Sequence, residues 1–205
     1  MSVKQIILAS ASPRRHELLR QLAVDFSVAS QDVDESQNVN ESPLDYVRRM
    51  SDAKADSALA RLLDNNDSVI LAADTIVLCA QEVMGKPVDQ ADAVRMLLKL
   101  AGRDHQVLSA VTVATCSRRE FALSQSTVSF RPISPEEAER YWHSGEPVGK
   151  AGAYGIQGRA AVFVNRLSGS YSGVMGLPLF ETANLLEKFG IDCMCPESVG
   201  AELES

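Results

Sequence analysis

The sequence predicts an α/β fold: an elongated mixed β-sheet flanked by helices. Three observations carry that expectation. Short apolar runs alternate along the chain with segments of helical period. Helix starts are marked repeatedly by a Ser-Pro pair, at Ser12-Pro13, Ser42-Pro43 and Ser134-Pro135. The 205 residues, 45% hydrophobic and 23% charged, contain neither an internal repeat nor a Gly/Ser-rich linker, as suits one packed domain.

Val3 to Ala9 reads as a short buried strand. Ser12 then serves as N-cap with Pro13 at the first helical position, and Leu18, Leu19 and Leu22 form that helix's buried stripe. A second strand falls at Phe26 to Ala29, followed by a polar loop from Gln31 to Glu41. Ser42-Pro43-Leu44-Asp45 opens a helix running to about Leu63, its early acid favourable to the helix dipole. Val69 to Leu78 is the strongest strand pattern, expected to be broken at Ala73-Asp74-Thr75. A hairpin precedes Gly85-Lys86-Pro87, and Asp89 starts a helix that stops at Gly102. His105 to Ala114 and Phe121 to Phe130 read as paired strands with a turn near Ser117-Arg118. Ser134-Pro135-Glu136-Glu137 is a capping box for a helix reaching about Ser144. Ala160 to Leu167 is the last strand, and Pro178 to Phe189, stopped by Gly190, the last helix. Residues 1–196 are expected to form one domain with two lobes around a central cleft, and residues 197–205 a frayed tail.

The formal net charge of -7 argues against a nonspecific nucleic-acid binder. It leaves room for an anionic small molecule at a local basic cluster. Cys79 and Cys116 read as core thiols, and Cys193 and Cys195 flank Met194 without CxxC spacing. Neither a signal peptide nor a membrane span is legible, so a soluble, cytoplasmic protein is expected.

Three segments carry chemistry. In Ser10-Ala11-Ser12-Pro13-Arg14-Arg15 a buried strand ends, a tight turn follows, and a helix N-terminus arrives with two arginines in its first turn. Backbone N–H groups, the positive end of the dipole and two guanidinium forks make a phosphate receptor. Arginine there opposes the dipole, which weighs against a purely solvent-facing role. Asp74, inside an apolar strand, demands a partner or a function, as base or metal ligand. Lys86 either reaches a phosphate or is a solvated loop lysine; Lys54, on a long helix, is by default a surface residue. Glu35 lies in an acidic loop that either is simply solvated or faces the phosphate turn and holds magnesium. Lys150 to Gly158 has three glycines for close backbone approach, with Tyr154 and Gln157 offering an aromatic face and an amide to a planar base. Together these features describe a nucleotide hydrolase or transferase without a P-loop or dinucleotide fingerprint.

LASASPRR, AADTIV, GKP, KAGAYGIQG and GSYSGVMGLPL, in that order from Ile6 to Leu186, resemble the Maf family of nucleoside triphosphate pyrophosphatases. The resemblance implies a fold like that of the inosine-triphosphate pyrophosphatases. Thr75 and Gln157 resemble the subgroup that hydrolyses dTTP and UTP, rather than the one acting on 7-methyl-GTP. The resemblance makes Asp74 the proton acceptor and Arg14, Thr75 and Gln157 specificity positions. It places Ser10, Arg15, Glu35, Lys54 and Lys86 along the catalytic cleft, implies a divalent cation (Mg2+ or Mn2+) held by Glu35 and Asp74, and makes a homodimer plausible. It also implies house-cleaning of noncanonical nucleotides and leaves a nonenzymatic regulator of septum formation as the alternative.

Overall fold

The computed structural model describes residues 5–61 and 68–194. In chain order its elements are β1 (Gln5–Leu8), α1 (Pro13–Arg20), β2 (Phe26–Val28), α2 (Pro43–Ala60), β3 (Ser68–Cys79), β4 (Glu82–Met84), α3 (Gln90–Leu100), β5 (Asp104–Ala114), β6 (Arg119–Phe130), α4 (Pro135–Trp142), β7 (Val164–Ser168), α5 (Tyr171–Met175) and α6 (Leu179–Lys188). Two 3-10 turns, Ala151–Ala153 and Arg159–Phe163, separate α4 from β7. The strands form one mixed sheet in the order β2-β1-β3-β5-β6-β7, with β4 added to β3. β1 is parallel to β2 and β3, and every other pairing is antiparallel.

Alternation along the strands builds two layers. Ile7, Ala9, Ile70 and Ala72 face α2, where Ala55 and Ala58 cover them, while Val47 packs on Ile76, Leu108 and Ala110. Leu8, Leu71, Val111 and Val128 face the other way, into a larger core with Leu18 of α1, Leu97 of α3, Ala138 of α4 and Leu186 of α6. Among the described residues no helix is long and apolar enough to cross a membrane.

The helix starts follow the sequence closely. Ser42 accepts from Asp45 N (3.1 Å), and Asp89 from Asp92 N (2.8 Å). Ser134 accepts from Glu137 N (3.2 Å) while Glu137 Oε2 accepts from Ser134 N (3.1 Å), completing the capping box. α1 is the exception: Ser12 stands at the N-cap but its side chain caps nothing, and its N–H donates to Ser10 Oγ at 3.2 Å.

Three expectations are corrected. β3 runs unbroken through Asp74, because that carboxylate points off the sheet to a lysine on α2 while the backbone keeps its register, with Asp74 opposite Ala110 of β5. Residues 159–163 are a 3-10 turn rather than strand: β6 ends at Phe130, opposite Val164, and Pro132 follows, so no ladder remains for them. Cys116 is exposed, because it sits in the Thr115–Arg118 turn closing β5 to β6 rather than in the apolar run before it. Val3 and Lys4 of the expected first strand, Leu63, Cys195 and the 197–205 tail lie outside the described residues.

The sheet also fixes where a ligand can enter. β1 lies between β2 and β3, so its C-terminal end is the topological switch point, where crevices open in α/β sheets. β1 covers β3 only as far as Leu71, and β4 covers it again from Val77. β5 occupies the opposite edge from Ile70 to Leu78, so β1 and β4 must share one edge. Between them residues 72–76 have no strand partner on that edge among the described residues, and the sheet is notched there.

Candidate active site

Asp74 and Thr75 sit in the notch. Alternation sends their side chains to opposite faces of β3, and the open edge lets both line one cleft of about 1130 Å³. Five cations (Arg14, Arg15, Lys54, Lys86 and Lys150) and three carboxylates (Glu35, Asp74 and Glu146) line it. The cleft is therefore locally basic in a chain of net charge -7, as an anionic ligand requires.

On the α2 face, Lys54 Nζ donates to Asp74 Oδ1 at 2.6 Å and to Glu35 Oε1 at 3.1 Å. Lys86 Nζ donates to Glu35 Oε2 at 2.8 Å. Lys54 is 8% exposed and Asp74 9%. Two charges so far from water stay together because each compensates the other's desolvation. Lys54 lies on the buried stripe of α2, with Val47, Met50, Ser51, Ala55 and Ala58. A lysine in register with that stripe is the signal that separates it from the surface lysine expected of a long helix. Glu35 comes from the loop between β2 and α2, which is tied down by Tyr46 Oη donating to Glu35 O (2.6 Å) and Arg49 Nη2 to Ser36 O (2.9 Å). Burial raises the Glu35 carboxyl, but the two lysines outweigh it and hold the group below its ordinary value. Glu35 is thus neither merely solvated nor unpartnered.

On the opposite face, Arg15 Nε donates to Gly176 O at 2.8 Å, while Nη1 and Nη2 reach Ser10 Oγ and Thr75 Oγ1 at 3.4 Å each. Burial pushes its guanidinium below the ordinary value; Asp74 and Glu35 oppose that and Arg14 adds to it. Thr75 lies opposite Ser109 on β5, their hydroxyls 2.9 Å apart, and Ser109 Oγ donates to Gly173 O at 2.7 Å. The hydroxyls fasten α5 and Gly176 to the sheet, and Gly176 has φ +121, with space for a Cβ only against Arg15 and Thr75. Ser10, 6% exposed, holds the phosphate-type turn from within by accepting from Ser12 N.

The third wall is the segment 146–158. Gly152 N donates to Gly85 O (3.1 Å), locking this wall to the loop that carries Lys86. Gln157 is exposed on it and makes no hydrogen bond among the described residues. Tyr154, expected to present an aromatic face beside it, is core instead: 6% exposed, its Oη 2.9 Å from His105 Nε2 and its ring edge-on to Phe130. Arg14 is half-buried with no hydrogen bond among the described residues, and burial lowers its guanidinium. Lys150, quoted in the glycine-rich motif without a role, is likewise half-buried and lowered by burial and by Arg14. Its sequence signal is a lysine at the head of the glycine-rich segment.

No cluster of three or more His, Cys, Asp or Glu side chains is placed for a metal ion among the described residues. Glu35 and Asp74 do converge, both on Lys54 Nζ. Two hard oxygen donors suit Mg2+ or Mn2+, which take the rest of their shell from water and substrate phosphates.

Residues 5–189 match the family described as Maf-like protein. A dTTP/UTP pyrophosphatase of Cupriavidus metallidurans is 53% identical over 194 residues, 91% of this chain and 97% of that protein. A dTTP/UTP pyrophosphatase of Hahella chejuensis is 47% identical over 188 residues, 92% and 94% of the two chains. Among solved structures, the Staphylococcus aureus Ham1 protein aligns with TM-score 0.44 and 18% identity over 64% of this chain and 73% of that one. Since the family match runs through every strand and all three walls of the cleft, the chain belongs to the Maf family.

Proposed function

We propose that the protein hydrolyses dTTP and UTP to the nucleoside monophosphate and pyrophosphate. The observation that carries the reading is the notch itself: a buried carboxylate, Asp74, lies at the centre of a cleft where five cations converge. The names of the relatives supply the nucleotides.

In this reading water attacks the α-phosphorus, forming one P–O bond as the bond to the bridging oxygen of the β-phosphate breaks. Pyrophosphate leaves with that oxygen. Lys54 engages Asp74 Oδ1, which leaves Oδ2 to orient the water and take its proton. Arg14, Arg15, Lys54 and Lys86 offset the charge that develops on the leaving pyrophosphate. Ser10 shapes the turn that carries both arginines. Glu35 and Asp74 would hold a divalent cation, which when bound polarises phosphate oxygens. The amide of Gln157 reads the pyrimidine edge as acceptor for N3–H and donor to a carbonyl. Thr75 acts through Arg15 and Gly176, setting the floor of the cleft.

A substrate panel with magnesium or manganese, comparing dTTP, UTP, CTP, GTP and 7-methyl-GTP with products identified, tests the reading. Pyrophosphate and monophosphate from dTTP and UTP are expected, with loss of turnover but retained nucleotide binding in Asp74→Asn. Preference for 7-methyl-GTP would overturn the substrate, wild-type-like turnover in Asp74→Asn the base, and nucleotide binding without any turnover the enzyme itself.

A further inference from the structure

We infer that Glu146 is a positioning residue for base recognition, its carboxylate fixing the Gly155–Arg159 turn that presents Gln157. The inference rests on the reading of Gln157 given above. Glu146 follows α4 and lines the cleft. Both of its carboxylate oxygens accept from Arg159 N, Oε1 at 3.0 Å and Oε2 at 2.8 Å. Tyr141 Oη donates to Oε2 at 3.2 Å and itself accepts from Gly155 N at 3.1 Å. One carboxylate and one phenol thus grip the two ends of the turn, the N–H of residue 155 and that of residue 159. Gln157 lies midway and makes no side-chain hydrogen bond among the described residues, so the backbone of the turn sets the direction in which its side chain leaves the chain.

Sterics say the same. A Cβ on Gly158 would stand 2.2 Å from Glu146 Oε2 and 2.6 Å from its carboxyl carbon. A side chain at 158 would push the Glu146 carboxylate out of these bonds. On the other flank the Lys150 stem crosses Gly155, where a Cβ would meet Lys150 Cε at 2.9 Å, and Lys150 Nζ donates to Glu146 O. A carboxylate offers both donors two acceptor oxygens at once, whereas an amide in its place offers one. Burial first, and Glu146 with it, raises the Tyr141 phenol, so it stays protonated and able to donate. Recognition groups tolerate little displacement, so loosening this turn loosens discrimination.

The test is a double-mutant cycle of Glu146→Gln and Gln157→Ala, reading kcat and KM for UTP and CTP together with thermal midpoints. Glu146→Gln is expected to raise the UTP KM more than it lowers kcat. It should reduce UTP-over-CTP selectivity about tenfold, the worth of one charge-assisted hydrogen bond. Glu146→Asp, which keeps the carboxylate, should recover part of that selectivity. In the Gln157→Ala background, Glu146→Gln should change selectivity no further. Equal losses for UTP and CTP, unchanged selectivity in Glu146→Gln, or additivity in the double variant would each overturn the proposal alone. Unchanged selectivity in Gln157→Ala would overturn the reading of Gln157 and the proposal with it.

Discussion

His105 provides a quantitative test of how the cleft wall is anchored. The side chain is 2% exposed, packs edge-on against Phe130 and Tyr154, and engages Tyr154 Oη through Nε2, while Nδ1 has no hydrogen-bond partner among the described residues. Burial lowers the imidazole from 6.5 to about 4, with Asp104 opposing weakly. The folded protein therefore binds this proton less tightly than the unfolded chain. Stability contributed by neutral His105 is complete above pH 6.5 and is lost progressively as pH falls to about 4. At about 1.4 kcal/mol per pH unit, the loss amounts to about 3 kcal/mol. His105→Gln keeps a partner for Tyr154 but cannot titrate. Urea unfolding of both proteins across this pH range should show the stability difference between them moving against the wild type by about that amount on acidification. A difference that stays constant with pH would mean that His105 is hydrated or already charged in the folded state, and that the wall is not sealed as the packing implies.

Lys54→Met should lower kcat by about 10²–10³-fold, the loss typical of one preorganised donor at a site of developing charge. It should also lower the thermal midpoint, because Asp74 and Glu35 lose their shared cation; a rate near that of the unaltered protein would remove Lys54 from the chemistry. Gly152→Ala puts a Cβ 3.0 Å from Val77 at φ +67. The left-handed strain of about 1–2 kcal/mol alone should lower the midpoint by roughly 2–8 °C, checked by calorimetry. An unchanged midpoint would show that residue 152 does not hold its left-handed conformation against Val77.

Much of the fold was legible because its signals are local. Ser42, Asp89 and Ser134 each accept the N–H three residues on, so those helix starts follow from the chain alone. The apolar runs place β3, β5 and β6 within a few residues. Where a local rule failed, a distant contact had intervened. The carboxylate of Asp74 looked like a break in β3 until Lys54, twenty residues earlier, answered it at 2.6 Å. Ala160 to Phe163 looked like strand, but β6 ends before them. Tyr154 looked like a platform for a base, but His105 and Phe130 claim it for the core.

The candidate site divides in the same way. Arg14, Arg15 and Asp74 stand out in sequence because each charge sits where the local pattern disfavours it, Lys86 and Gln157 lie in glycine-punctuated loops, and the resemblance singles out Ser10. That Asp74 and Thr75 project to opposite faces yet share a cleft depends on β1 ending at Leu71's partner and β4 reaching only as far as Val77's. The role of Glu146 depends on hydrogen bonds to residues 141 and 159. Residue type and period act over one turn of helix or one pleat of strand, so the chain alone determines its elements and its reactive groups. Which strand edge is left uncovered, and which charges meet there, is decided by packing between segments far apart in sequence, where burial makes each charge require a particular partner.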